Sequence, residues 1–354
     1  ADLFALIIDE DSLAPVLRGR RLRTSFLQRI PGSKRAHRYL LPLYPLAVEQ
    51  FDLRDYDLVI SSESGPAKGV LTGTHSFHMC YCHSPMRYLW DLYHDYRNGD
   101  GLGPVRRALF SLSAHYVRNW DLATASRVDA FVANSENVAA RIRKHYRRDA
   151  TVIYPPVDVS AGFLADRTED YYLVVSQLVN YKRVHLAIEA CNRLQRPLRV
   201  VGDGEEYKRL RKLAGPTVQF LGFLRDEEVR EQYAHCRALL FPGEEDFGIV
   251  PVEAQSFGRP VIPYGRGGVL ETVVGWQPGR AFRDDCTGVF FLQPTVESLT
   301  EAVLAFESME SKFSPTLIRE SVQVFGKERF QQEFRAAVER GLSEFRSPGE
   351  HVGA

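Results

Sequence analysis

The chain has 354 residues, of which 44% are hydrophobic and 25% charged, and its 45 basic side chains balance 45 acidic ones. This composition is that of an ordinary globular protein and excludes a disordered chain. The length corresponds to roughly two domains. The longest apolar runs are far shorter than the roughly 20 residues that cross a bilayer, so no membrane-spanning segment is predicted. The five cysteines lack metal-binding spacing, which favours the reducing cytoplasm.

In the first half of the chain, short apolar runs alternate with helical patterns. Strands are predicted near residues 3–8, 57–61, 77–82 and 129–133, and helices near 86–96, 104–123 and 136–146. Segment 154–158 contains two consecutive prolines and cannot be helical, because each proline lacks an amide donor and biases its predecessor toward extended conformations. This segment is predicted to link two domains.

The second half repeats the alternation more regularly. Its strands are predicted near 172–176, 197–201, 217–221, 238–242, 260–263 and 288–292. Strands that alternate with helices are typical of a parallel, doubly wound α/β sheet. The predicted domains are residues 1–153 and 154–322, followed by residues 323–354 with one long helix that could pack back against the first domain. Gly202, in a tight turn after a strand, is by itself a weak signal for a bound nucleotide.

The densest motif, PGEEDFGIVPVEA at 242–254, follows a buried strand and begins a helix. The amides of a first helical turn favour a negatively charged ligand, and Gly248 lets the backbone approach one closely. Glu245 and Glu253 are eight residues apart, so one carboxylate could accept hydrogen bonds from sugar hydroxyls and the other from a ribose. Two acids that merely flank an exposed turn are the alternative interpretation.

With Gly267 and Gly268 downstream, this stretch resembles the E-x7-E motif and the Gly-Gly loop of family 4 glycosyltransferases. The resemblance implies a GT-B fold, with two facing Rossmann-like domains and a C-terminal helix that packs back on the first. It also implies that Glu245 binds the donor sugar and Glu253 the ribose. The donor-binding residues between these acids are expected to be Phe247, Gly248, Ile249 and Val250.

A second motif, SQLVNYKRV at 176–184, follows the first strand of the second domain. A fixed cation at the carboxyl end of such a strand can hold a diphosphate and stabilise its departure. In the family, an Arg and a Lys commonly do this. Lys182 matches the Lys, whereas Gln177 occupies the position of the Arg, so Arg183 is the candidate for the second charge. A solvated surface lysine is the alternative for Lys182.

A third motif, CYCHSPMRY at 80–88, places His83 where a buried strand ends before Pro85. By resemblance, His83 is the first-domain histidine that lies near the donor sugar in the interdomain cleft. A histidine satisfied within its own loop is the alternative interpretation. Cys80 and Cys82 lie on one face of the strand, but no second pair accompanies them, so they are interpreted as small buried residues rather than metal ligands.

A basic stretch at 12–48 contains no acid and interleaves cations with apolar residues. Its cations are Arg18, Arg20, Arg21, Arg23, Arg29, Lys34, Arg35 and Arg38. Each cation near an anionic leaflet contributes about 1 kcal/mol at most, so several together favour peripheral contact with the inner membrane. An ordinary solvated face is the alternative, and nucleic acid is disfavoured because the net charge is zero.

The resemblance extends over nearly the whole chain and is to bacterial O-antigen and exopolysaccharide mannosyltransferases. It implies a retaining, metal-independent transfer, with mannose from GDP-mannose as the expected donor and a lipid-linked or polysaccharide acceptor. Members usually begin with a strand and a Gly-Gly loop, and this sequence starts after that point. The alternatives are a UDP-sugar-dependent transferase and a non-catalytic nucleotide-sugar-binding paralogue, the latter favoured by Gln177.

Overall fold

The computed structural model of the protein describes residues 1–9, 13–17, 19–98, 103–277 and 279–347, with the backbone alone at 15 and 35–39. The chain folds into two compact units. The first comprises Ala1–Asn134, Val138–Val152 and Arg335–Ala354, and the second comprises Ser135–Asn137 and Ile153–Phe334. The break at Val152 lies one residue before the one predicted from the prolines.

Among the described residues, the first unit contains strands β1–β6 and helices α1–α5, except that the first two residues of α5 belong to the second unit. The strands are Leu3–Ala5, Leu22–Thr24, Leu58–Glu63, Phe77–Cys82, Ala130–Ala133 and Thr151–Val152. The helices are Ser33–Ala36, Tyr44–Glu49, Tyr93–Arg97, Pro104–Thr124 and Glu136–Tyr146. The helix predicted near 86–96 is shorter than expected, because a series of turns precedes Tyr93.

Strands β3, β4, β5 and β6 form a parallel sheet in that order, and β1 pairs with β2 in a separate parallel ribbon. All six residues of β4 are buried, as expected of a central parallel strand covered on both faces. Cys80 and Cys82 lie on one face of β4 and are buried against α5 residues such as Ile142. Both are free thiols, which agrees with their interpretation as buried small residues.

The second unit contains strands β7–β13, helices α6–α12 and the start of α13. The strands are Tyr172–Val175, Leu198–Val201, Val218–Gly222, Ala238–Phe241, Val261–Pro263, Gly275–Trp276 and Gly288–Val289. The helices are Val184–Leu194, Tyr207–Leu213, Asp226–His235, Ile249–Ser256, Val269–Thr272, Val296–Met309, Pro315–Ser321 and Lys327–Arg346. The strands form one parallel sheet in the order β12-β13-β11-β10-β7-β8-β9.

The α/β class predicted from the sequence is confirmed, since both units contain a parallel sheet joined by helices. Buried residues on the two faces of the second sheet form separate apolar clusters, one against α6 and α11 and the other against α8 and α9. The order of the strands reverses at β7 and β10, and ligands bind at such switch points, outside the carboxyl ends of the strands.

The final helix, α13, contributes to both units. Residues from Arg335 onward belong to the first unit, where the ring of Phe345 packs against Phe77 at 5.7 Å between centroids. Residues up to Phe334 belong to the second unit, although the sequence placed the boundary at 322/323. Phe325, just before the helix, packs with Phe247 and Val157 in an apolar cluster, which fixes this part of the chain to the second unit.

Candidate functional site

The loops that follow β7, β8, β10 and β11 all leave the carboxyl edge of the second sheet, because the strands are parallel. Two of the predicted side chains meet there. The ammonium group of Lys182, after β7, forms an ion pair with the carboxylate of Glu245, after β10. Both side chains are slightly more than four-fifths buried, at 19% and 18% exposure. The pair therefore places a positive and a negative charge at the carboxyl edge of the sheet, beside the switch point between β7 and β10.

The Gly-Gly loop packs directly against the loop that carries Glu245. The amide of Gly268 donates to the carbonyl oxygen of Glu245 at 2.8 Å, and Gly267 bridges the same residue. Gly267 has a φ of +81°, and a β-carbon there would press on the Glu245 carbonyl oxygen. Glycine is the residue that tolerates both conditions. The loop after β11 thus fixes the backbone position of Glu245.

The loop after β10 ends at Gly248, which has a φ of +92° and caps α9 without a side-chain hydrogen bond. The first helical residue, Ile249, is 44% exposed, and Val250 is half-buried against the core. The side chain of Phe247 is buried among Tyr154 and Phe325, so only its backbone is available to a ligand. These residues form a short backbone platform at a helix N-terminus, an arrangement that favours an anion such as phosphate.

Glu253 lies one turn into α9 and does not join the pair formed by Lys182 and Glu245. Its Oε2 accepts a hydrogen bond from the hydroxyl of Tyr233 at 2.9 Å. Burial raises the pKa of the Glu253 carboxyl above its ordinary value. The ionised carboxylate is a stronger hydrogen-bond acceptor than the protonated carboxyl, so the strength of any contact with a ribose depends on pH.

The two other polar candidates after β7 differ in environment. Gln177 is exposed at the edge of the sheet. Arg183 has a left-handed backbone and its guanidinium lies 5.3 Å from the ring centroid of Tyr264, after β11. Within the described part of the chain, Nη1 of Arg183 is buried and makes no hydrogen bond. A buried donor of this kind is costly unless a ligand or water satisfies it.

Gly202 follows β8 with a φ of +125°, and a side chain there would collide with the carbonyl oxygen of Ser176. The turn after β8 therefore lies directly against the loop after β7. The amide of Leu178 donates to the carbonyl of Asp203 at 2.9 Å and reinforces this contact. The absence of a side chain at Gly202 therefore allows the two loops to pack closely.

His83 lies in the first unit, immediately after β4. Its Nε2 is 2.9 Å from the hydroxyl oxygen of Ser62 on β3, and its ring contacts that of Tyr81 edge-on at 5.0 Å. Its amide donates to the carbonyl of Glu63 at 2.7 Å. Burial lowers the pKa of the imidazole, which favours the neutral form near pH 7. Ser62 was not predicted as a site residue. It is the second of two adjacent serines on β3, the strand that pairs with β4 in parallel register.

The sequence analysis also missed a buried charge cluster in the first unit, formed by Lys68, Glu63 and Asp121. The ammonium of Lys68 is completely buried and forms ion pairs with Asp121 and, at 3.6 Å, with Glu63. Asp121 also accepts hydrogen bonds from Trp90 at 2.8 Å and from the hydroxyl of Tyr146. Burial raises the pKa of Glu63 to about 7. No local spacing in the sequence could have revealed a cluster whose acids are so far apart along the chain.

Phe223 is a second residue without a sequence signal. It follows β9 at the carboxyl edge of the sheet and is 85% exposed. The preceding residue, Gly222, accepts a hydrogen bond from the amide of Gly202 at 2.7 Å. An exposed aromatic ring beside the turn after β8 offers a stacking surface for a planar group such as a nucleobase.

The basic stretch is only partly covered by the structure. Arg18 lies outside the described residues, and the side chains of Arg35 and Arg38 are not described either. Two cations of the stretch are paired with upstream acids: Arg21 lies 3.7 Å from Asp2, and Lys34 lies 2.6 Å from Asp9. These pairs reduce the positive charge that the stretch presents to an anionic surface. Arg20, Arg23 and Arg29 are its other cations with described side chains.

Across 1–9, 13–17, 19–98, 103–277 and 279–347, no three His, Cys, Asp or Glu side chains are grouped as metal ligands would be. Within the same ranges, none of the helices combines the length and apolar character needed to cross a bilayer.

Several proteins of known identity resemble this chain in sequence. The O-antigen chain mannosyltransferase C of Escherichia coli is 31% identical over 154 residues, which cover 38% of this chain and 41% of the relative. The α-1,3/1,6-mannosyltransferase ALG2 of Homo sapiens is 25% identical over 243 residues, 56% of this chain and 58% of the relative. The chain thus spans about half the length of the curated relatives it matches.

Solved structures show the same fold at low identity. Sucrose-phosphate synthase from Thermosynechococcus elongatus superimposes with a TM-score of 0.72 at 17% identity, over 97% of this chain and 89% of that one. HepE from Anabaena, solved in complex with UDP, gives 0.62 at 16% identity, over 90% and 86%. The predicted GT-B fold class is therefore confirmed.

The family models divide the chain near the boundary between its two units. The model described as "Glycosyltransferase Family 4" matches residues 6–161, and the model described as "Glycosyl transferases group 1" matches residues 160–321. Since the two matches together extend over most of the sequence, the chain belongs to the family 4 glycosyltransferases.

Proposed function

We propose that the protein transfers mannose from GDP-mannose, with retention of configuration, to a lipid-linked or polysaccharide acceptor during assembly of a bacterial cell-surface glycan. The observation that carries the proposal is the meeting of Lys182 and Glu245 at the carboxyl edge of the second sheet. A cation there suits a diphosphate and an acid suits the hydroxyls of its sugar. The mannosyltransferase names of two relatives support the choice of sugar.

In the proposed reaction, the bond between the anomeric carbon and the β-phosphate oxygen breaks as the acceptor hydroxyl bonds to the same face of that carbon. The hydroxyl proton passes to the departing phosphate oxygen, and GDP leaves. The protein supplies no nucleophile; it holds the two substrates and stabilises the charge that develops on the diphosphate. Lys182 is assigned to that charge, Glu245 to the sugar hydroxyls and His83 to the donor sugar.

Arg183 is proposed to supply the second positive charge that Gln177 cannot. Its buried Nη1 makes no hydrogen bond within the described residues, so a phosphate oxygen within reach would satisfy it. The backbone platform at Gly248, Ile249 and Val250 is assigned to the remaining phosphate and ribose oxygens. Gly202 shapes the adjoining loops, and Phe223 is assigned to the base.

The transfer is proposed to be independent of metal ions, with Lys182 and Arg183 balancing the diphosphate in place of a divalent cation. Chelation with EDTA is then expected to leave turnover unchanged. We further assign the protein to the inner face of the cytoplasmic membrane, where a lipid-linked acceptor would reside. Exposed cations of the basic stretch, such as Arg20 and Arg29, support attraction to anionic lipid.

The test begins with thermal shift in the presence of GDP-mannose, GDP-glucose, UDP-glucose and UDP-N-acetylglucosamine. A ligand that binds only the folded state raises its stability by mass action, so GDP-mannose is expected to give the largest shift. Release of GDP from GDP-mannose then reports transfer or slow hydrolysis, and the anomeric configuration of the product reports retention. Phe223→Ala is expected to weaken GDP and GDP-mannose equally.

A larger shift with a UDP-sugar would replace the proposed donor. Binding of GDP-mannose with neither transfer nor hydrolysis would instead identify a binding paralogue, for which Gln177 is the motivating residue. Gln177→Arg separates these outcomes further, because restoring the family's arginine is expected to raise kcat of an active enzyme and to leave a binding protein inactive.

A further inference from the structure

Helix α4, Pro104–Thr124, carries an apolar stripe that no described residue covers. Val105, Leu109, Leu112 and Tyr116 are 71%, 60%, 69% and 49% exposed. Their spacings of four, three and four residues place them on one side of the helix. A single exposed leucine needs no explanation, but four aligned large side chains form a contiguous patch of the kind that marks an interaction surface.

The opposite side of α4 explains why the stripe is held rigidly outward. Ala114, Val117 and Asp121 are fully buried there, in contact with the core of the first unit. Asp121 is bound by Lys68, which anchors the helix through the buried charge cluster. The stripe therefore cannot rotate inward without exposing this buried side.

The charge of the helix points to the nature of the partner. Residues 103–120 contain no acid, and Arg106 and Arg107 are exposed there, whereas Arg118 is half-buried and donates to the carbonyl oxygen of Leu89. The next acid, Asp121, is fully buried and already bound. The exposed surface of α4 is therefore both apolar and cationic, the combination with which helices lie in the headgroup region of an anionic membrane.

The neighbouring helix carries one more exposed aromatic side chain. Helix α3, Tyr93–Arg97, packs on α4 through a hydrogen bond from the hydroxyl of Tyr93 to Ser111 at 3.0 Å. The same short helix carries Tyr96, which is 39% exposed. Tyrosine is favoured at membrane interfaces, where its ring is buried and its hydroxyl remains hydrated.

We propose that the stripe of α4 inserts into the surface of an anionic lipid bilayer and docks the first unit there. A second copy of the chain fits less well, because a self-complementary contact would bring two cationic, acid-free helices together with no opposite charge to pair them. The inference deepens the membrane contact of the proposed function by assigning it to α4, whereas the sequence indicated only residues 12–48.

The test uses vesicles of 30% phosphatidylglycerol in phosphatidylcholine, and vesicles of phosphatidylcholine alone, in cosedimentation with the purified chain. Wild type is expected to bind the anionic vesicles more tightly, and Leu109→Ser/Leu112→Ser is expected to reduce that affinity at least tenfold. The matched control is Leu304→Ser, which changes an exposed leucine of α11 in the second unit, 48% exposed. All these positions are exposed, so the variants are expected to fold, which circular dichroism and thermal melts check.

A fluorescent reporter locates the contact. The native cysteines are buried, so an environment-sensitive dye can be attached selectively in L112C and in L304C. A blue shift with anionic vesicles is expected only for the dye at position 112. Equal vesicle binding by wild type and the double serine variant would overturn the proposal. So would a lipid-free dimer that the double variant dissociates, which would identify a second copy as the occupant.

These measurements require neither donor nor acceptor. Loss of vesicle binding with GDP-mannose turnover retained on a water-soluble acceptor supports membrane docking by α4 as a separate function. Absence of GDP-mannose binding and turnover would refute the proposed activity, while vesicle binding would still decide the role of α4.

Discussion

The ammonium of Lys182 and the carboxylate of Glu245 form an ion pair although they follow different strands, β7 and β10. Without a donor each neutralises the other, and a diphosphate would compete with Glu245 for the lysine. The pair thus holds both side chains at the edge of the sheet before the substrate arrives, which reduces the ordering required on binding.

Substituting Lys182→Met is expected to lower kcat by about 10²- to 10³-fold, since the charge of the leaving diphosphate develops mainly in the transition state. KM for GDP-mannose should change much less. The measurement is GDP release under saturating donor, and Lys208→Met, an exposed lysine of α7, is the matched control. A change confined to KM would mean that Lys182 only binds the ground state.

Glu253→Gln tests the ribose contact through pH. Burial raises the pKa of Glu253, so its carboxylate is lost at a higher pH than an ordinary glutamate would require. Donor affinity should therefore fall as the pH falls through this raised value, and the glutamine variant should have weaker affinity with less dependence on pH. Isothermal titration with GDP between pH 5 and 8 measures both. Identical pH profiles for wild type and variant would contradict the assignment, and Glu227→Gln, exposed on α8, is the control.

Ser62→Ala removes the hydrogen-bonding partner of His83 Nε2. We expect kcat to fall a few-fold with little change in thermal stability, because Ser62 orients a ring rather than supporting the core. Since burial lowers the pKa of His83, any loss of activity caused by its protonation should lie below pH 6.5. A pH–rate profile checks this, and Ser126→Ala, an exposed serine, serves as control. An acidic limb above pH 6.5 that persists in His83→Gln would assign the titration to another group.

Glu63→Gln is expected to alter the pH dependence of stability. Burial raises the pKa of Glu63 from 4.5 to about 7, so the folded protein binds this proton more tightly than the unfolded chain does. The contribution of Glu63 to stability therefore falls as the pH rises from about 4.5 to about 7. The Tm of the variant minus the Tm of wild type should therefore be a few degrees larger at pH 8 than at pH 5.

Lys68→Met removes the cation of the same cluster, whereas Glu63→Gln neutralises one of its acids. It leaves the carboxylates of Glu63 and Asp121 buried without their cation and should destabilise the protein strongly, by about 3–5 kcal/mol. Urea titration at pH 8 measures the loss. A variant as stable as wild type would show that water reaches the cluster.

The sequence was most informative where function depends on local backbone. The strands of the second sheet were predicted to within one or two residues, apart from the short pair at its edge, and the motif at 242–254 correctly indicated a loop that opens a helix. The ion pair between Lys182 and Glu245 follows from this, because parallel strands bring their carboxyl ends together. Hydrophobic periodicity and glycine positions encode these features directly.

The features that sequence reasoning missed are long-range contacts. Nothing near Lys68 in the sequence identifies Asp121 as its partner, and nothing near Glu253 identifies Tyr233. The stripe on α4 is equally hidden, because its apolar spacing resembles that of a core-facing helix and only the packing shows which side is buried. Tertiary structure decides such orientations.

The five cysteines are distributed so that Cys80 and Cys82 lie in the first unit and Cys191, Cys236 and Cys286 in the second, all buried as free thiols. A thiol must reach water before it reacts with a modifying reagent. Each unit therefore contains its own set of protected thiols. The rates at which the two sets are alkylated measure how often each unit opens to solvent, without any engineered label.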